Sequence, residues 1–136
     1  MKHIELDTGI EEFSFAGGGV LRFNPRDPNL YARFLEAEKD MQAIEDELNE
    51  AAKETAAPEA VIRLTREADQ KAKQLLNQVF GAGNDFDQLL GGVSLLAVTA
   101  NGQRVVQNLM GVLENILTEG AARFAAEKAD AIRAEQ

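Results

Sequence analysis

Two prolines decide what this chain can fold into, because each heads a long stretch patterned as a helix. Pro28 follows Asp27. A proline at the first helical position gives up only an amide that would be unbonded there, and an Asp just before it caps the remaining free amides. From Pro28 to about Glu54, Leu30, Phe34, Ala37, Met41, Ile44, Leu48 and Ala51 recur at alternating spacings of four and three, a narrow apolar seam. Pro58 ends this helix and opens another, with Val61, Thr65, Ala68, Ala72, Leu75 and Val79 along one side until Gly81 and Gly83 stop it near Phe80.

The short connection predicts an antiparallel hairpin over residues 28–80. Counting from the turn brings Leu48 beside Thr65, Ile44 beside Ala68, Met41 beside Ala72, Ala37 beside Leu75 and Phe34 beside Val79, large side chains against small ones. Between Glu36 and Glu50 seven acids face Lys39 alone, whereas Arg63, Arg66, Lys71 and Lys73 outnumber Glu67 and Asp69 on the other helix. The two faces are expected to attract, selecting register more than stability, since an exposed pair contributes about 0.2–1 kcal/mol. A seam this regular can also close between two chains, which leaves a homo-oligomer open.

Ahead of the hairpin, residues 3–24 read as strands. Ile4 and Leu6 alternate with charged neighbours, Phe13 and Phe15 repeat the pattern, and Leu21 and Phe23 follow a Gly17-Gly18-Gly19 turn, so a three-stranded antiparallel meander is expected. Beyond the hairpin, Asn84 to Leu90 reads as one capped helical turn whose Phe86, Leu89 and Leu90 point to one cluster. Ser94 to Thr99 is read as a further short helix and Asn101-Gly102 as a turn. Val105, Val106, Leu109, Met110, Val112, Leu113, Ile116 and Leu117 then give a broad apolar face, expected to be the central core helix. The fold class is therefore α+β, mainly α, in one domain spanning 1–136: meander at 3–24, hairpin at 28–80, helical core at 84–119, and a charged, Ala-rich helical tail at 120–136.

Chemistry is sparse. The chain has no Cys and one His, His3, so neither a Cys-His nucleophile pair nor an N/S zinc site can be assembled. Asp85 and Asp87 lack the glycine and distal Glu of a calcium loop and read as helix caps. Gly17-Gly18-Gly19 lacks the Gly-Lys-Ser/Thr ending that cradles phosphates. Glu36, Glu38, Asp40, Glu45, Asp46 and Glu47 spread around a helix, whereas acid-base catalysis needs two groups held at one bond. No cofactor or metal is expected, and no enzymatic activity.

A formal net charge of −9, from 23 acids against 14 Lys and Arg, repels phosphate backbones and anionic headgroups, so direct nucleic-acid and membrane binding are not expected. Lys2-His3-Ile4-Glu5 after Met1 is no signal peptide, and the apolar run Leu89 to Val98 falls short of the roughly 20 residues that cross a bilayer; a cytoplasmic location is expected. What remains is binding to another protein. The candidate contacts are the acidic Glu45, Asp46 and Glu47 and the apolar Phe86, Leu89 and Leu90, with a larger patch if part of Leu89 to Leu117 stays uncovered.

Two segments carry a resemblance: Phe23-Asn24-Pro25-Arg26-Asp27-Pro28 through Phe34, and Val79-Phe80-Gly81 through Asp87, Gly91-Gly92 and Asn101-Gly102 into Asn108. Together they resemble a small family of tail-module proteins of phages and prophages of Gram-positive bacteria. In that family a strand-ending Phe-Asn-Pro-x-Asp-Pro run opens a long helix, and a later Val-Phe-Gly, Asp, Phe-Gly-Gly, Asn/Asp-Gly series leads into a final helix. Leu90 stands here where the family has an aromatic. The resemblance implies a tail assembly chaperone or accessory factor, binding the tape-measure or tube protein in the bacterial host's cytoplasm. The rival readings are a structural subunit of the particle and an acidic regulator of a basic protein.

Overall fold

The computed structural model describes residues 1–135. Helix α1 spans Pro28–Lys53 and α2 spans Pro58–Phe80. Asp27 caps α1 as the sequence predicts, its carboxylate accepting from the Asn29 amide at 2.9 Å. The helices fold back on each other in the anticipated register: the Arg33 guanidinium donates to the Val79 carbonyl at one end, and Leu48 and Ala51 meet Leu64 and Ala68 at the other. Leu30, Phe34, Ala37, Met41 and Leu48 are buried along the seam.

The charges do not follow that register. Among the described residues no ion pair joins α1 to α2. Lys73 turns instead to Asp69 and Asp87, and Glu45 to Arg104. The buried face of α2 is also wider than its seam. Asp69, Lys73, Leu76 and Phe80 form a second stripe, and Leu76 is fully buried where Leu75 is only half so. A second layer explains it, built from the elements on either side of the hairpin.

Strands β1 (Glu11–Ser14) and β2 (Val20–Phe23) pair antiparallel, Phe13 opposite Leu21. The sheet has two strands where a three-stranded meander was expected. Ile4 and Leu6 lie in an irregular, fully exposed arm. The Gly17-Gly18-Gly19 turn is present. A Cβ on Gly19 would sit 3.0 Å from the Leu89 Cα, so only glycine lets the turn rest against α3, the single turn Phe86–Leu89. A chain of rings joins these parts: Phe13 stacks on Phe23 at 4.6 Å, Phe23 meets Phe80 edge-on at 5.0 Å, and Phe80 lies 5.5 Å from Phe86.

Residues 94–99, expected as a short helix, form a turn and an isolated bridge between Val98 and Arg104. The next helix requires this: the Val106 and Val105 amides donate to the Leu95 and Ala97 carbonyls at 2.8 and 2.9 Å, so the loop backbone caps the helix and cannot itself be helical. That helix, α4, runs unbroken over Val105–Glu135, so core and tail are one element. Arg104 at its head bonds Asn49, and Arg26 bonds Glu127 near its other end, so α4 lies antiparallel to α1. The central helix is α1, flanked by α2 and α4. Among the described residues of α4, Val106, Leu113, Leu117 and Gly120 are the buried ones.

Candidate protein-docking groove

The apolar face of α4 is wider than the stripe that α1 covers. Val105, Leu109, Val112 and Ile116 recur at helical spacing beside the buried stripe, turned toward the β-hairpin. The hairpin in turn sends Phe13 and Phe15 out beyond Leu21 and Phe23. Between the two lies an open groove of about 450 Å³ with an almost wholly apolar lining, in which Val112 keeps 58% of its surface exposed. Such an open apolar surface on a chain this polar elsewhere has the chemistry of a protein-binding site.

One edge of the sheet is closed and the other open. The Asn84 side chain, buried, accepts from the Arg22 amide at 2.9 Å and donates to the Arg22 and Phe80 carbonyls at 2.8 and 3.0 Å. It stands in for a neighbouring strand on β2's outer side. Arg22 therefore spends both backbone groups away from β1, and its opposite number Glu12 points its own N–H and C=O away from β2. That free edge borders the groove.

A second cleft of about 920 Å³, lined mainly by polar and charged residues, opens beside Lys73. The ammonium is held by Asp69 at 2.9 Å and Asp87 at 2.6 Å, and the other Asp69 oxygen accepts from the Leu95 amide at 2.7 Å. Burial alone would lower the Lys73 pKa; the bonds and charges of Asp87 and Asp69 outweigh it, so the pKa lies above the ordinary lysine value. A lysine held protonated in this way is no nucleophile at neutral pH. The cluster is a strut joining α2, α3 and the 94–97 loop.

Neither a family model, a curated protein nor a solved structure matches the chain.

The residues singled out from the sequence are not brought together. Glu45 is buried, with the Arg104 guanidinium at 3.6 Å, which removes it from the exposed acidic surface and leaves Asp46 and Glu47 on the outer face of α1. Phe86 and Leu89 are core residues with almost no surface left for a partner, and Leu90 is half-buried against the same core. Asp85 caps α3 through the Asp87 amide. Among the described residues no three metal-ligating side chains converge, and no helix is long and apolar enough to cross a membrane. Sequence reasoning missed Phe13 and Phe15 as site residues. The surplus of apolar positions in 89–117 pointed to a patch if part of it stayed uncovered, but spacing did not say which residues those are or that the two phenylalanines face them.

Proposed function

We propose that this chain works by holding another protein, as an assembly chaperone or accessory factor of a phage tail module. The observation that carries the binding role is the open apolar groove between β1 and α4, which a chain of this size otherwise has every reason to bury. The tail-module assignment rests on the resemblance of Phe23–Phe34 and Val79–Asn108 to that family, whose motif residues have structural work here. Asp27 caps α1, and Thr99, Asn101 and Asn108 bond one another to close the loop before α4. The client is a helical protein with apolar stripes, of which the tape-measure protein is the candidate, and binding occurs in the host cytoplasm.

Co-expression with fragments of the tape-measure and tube proteins of the same gene cluster tests this. The expected result is a soluble complex that Val112→Asp disrupts. If no fragment co-purifies or gains solubility, the chaperone reading is lost. The particle-subunit reading is favoured by the free edge of β1 and would be chosen if the protein were found in finished virions.

A further inference from the structure

The fold leaves two incomplete features, and they match. One is the outer edge of β1, where Glu12 presents unpaired backbone groups beside the apolar groove. The other is the arm of residues 1–8, all exposed, in which Ile4 (85% exposed) and Leu6 (78%) alternate with His3, Glu5 and Asp7. This is the period of a strand with one apolar face, yet the arm has neither a paired strand nor a covered face. Residues 3–6 have the length of β1, four residues or roughly 13 Å.

The arm is anchored at its base. The Asn24 side chain donates to the Thr8 carbonyl at 3.0 Å, and Asp7 accepts from the Gly9 amide at 2.8 Å. This anchor sits at the end of the groove where Ile116 and Phe13 also line the hollow around Asp7, Pro25 and Arg123. The arm therefore leaves the body beside the open end of the groove without entering it.

We propose that the groove is covered by a second copy of this chain, the two copies exchanging arms. Residues 3–6 of each copy add as an antiparallel strand to the partner's β1 edge. Ile4 and Leu6 then enter the groove against Phe13, Leu109 and Val112, while His3 and Glu5 face solvent. The exchange is reciprocal, so two edges are closed at once and the assembly stops at a dimer. The arms and a client compete for the same groove, so the exchanged dimer is the client-free form; the purified chain without any client is the test sample, so a failed client pull-down does not touch it.

Light scattering on the purified full chain should give twice the 14.8 kDa chain mass at micromolar concentration. Ile4→Asp/Leu6→Asp should halve that mass, since neither side chain is buried in one copy. Glu12→Pro should do the same, because it removes an N–H that points away from β2 while sparing the hairpin. The chain has no Cys, so a disulfide can be placed at will. Leu6→Cys chains mixed with Val112→Cys chains should oxidise to a one-to-one crosslinked pair. A monomeric wild type, a dimer that survives either the arm or the edge variant with its circular dichroism unchanged, or failure of the mixed chains to crosslink overturns the proposal.

Discussion

Lys73 and Asn84 each hold together parts of the chain that share no backbone hydrogen-bond ladder. Replacing Lys73 by Met strands Asp69, which has an 88% buried side chain by the complement of its 12% exposure, next to a loop amide. Breaking a buried pair from one side costs about 3–5 kcal/mol, and the openness of the cleft and the 62% exposure of Asp87 place this case at the low end, about 3 kcal/mol. Urea denaturation measures it. The sign with pH follows from the raised Lys73 pKa: the folded state holds this proton more tightly than the unfolded chain does. The advantage over Lys73→Met should thus be fully present at neutral pH, where the lysine is charged in both states, and shrink as pH rises past about 10.4, the unfolded lysine value, and through the higher folded value. Asn84→Ala leaves the Arg22 amide and carbonyl and the Phe80 carbonyl without a partner. A loss of about 2 kcal/mol is expected, with faster amide exchange at Arg22.

At the scale of elements, α4 depends on one position. Gly120 passes so close to Pro25 that a Cβ there would fall on the Pro25 carbonyl group, a backbone obstacle that no side-chain rotation relieves. Gly120→Val should lever α4 away from the corner between β2 and α1, weakening Arg26–Glu127 and destabilising the fold by about 2 kcal/mol, as overpacking typically does. The thermal midpoint is the measurement. A glycine in a helix reads from sequence as a weak point, and the Ala-rich residues after it read as a separate tail. Only the crossing of α4 over Pro25 makes Gly120 a contact. The short helix expected at 94–99 failed for a similar reason, since the carbonyls of Leu95 and Ala97 are committed to the first turn of α4.

The molecule as a whole is a helical layer, α2 then α1 then α4, with the β-hairpin closing one end and an apolar groove left along α4. Burial raises the pKa of the Glu38 carboxyl on α1, and the charge of Glu114 on α4 adds to it. Its ionised form opposes folding at neutral pH, so Glu38→Gln should stabilise the protein there. The gain should vanish as pH falls below the unfolded Glu value of about 4.3. In the groove, Val112→Asp should leave the stability of the single chain's fold within about 0.5 kcal/mol, as an exposed substitution does, while weakening client capture roughly tenfold or more, about 1.4 kcal/mol. Isothermal titration against the co-purifying fragment, with a melting curve alongside, separates the two.

The sequence by itself determined whatever depends on neighbours along the chain: Asp27 and Pro28 opening α1, the apolar seam and its antiparallel partner, the glycine turn at 17–19, and the Asp85 cap. Each follows from local dihedral limits or a short period and needs no knowledge of distant residues. The tertiary structure decided which apolar residues are spent inside and which remain outside. Phe86 and Leu89 are consumed by the core because α2 brings Phe80 to them, Glu45 is taken by Arg104, and Val112 stays uncovered because α1 covers only one stripe of α4. Competition for a shared interior is a property of the packed chain, and so the site lay beyond what spacing alone specifies.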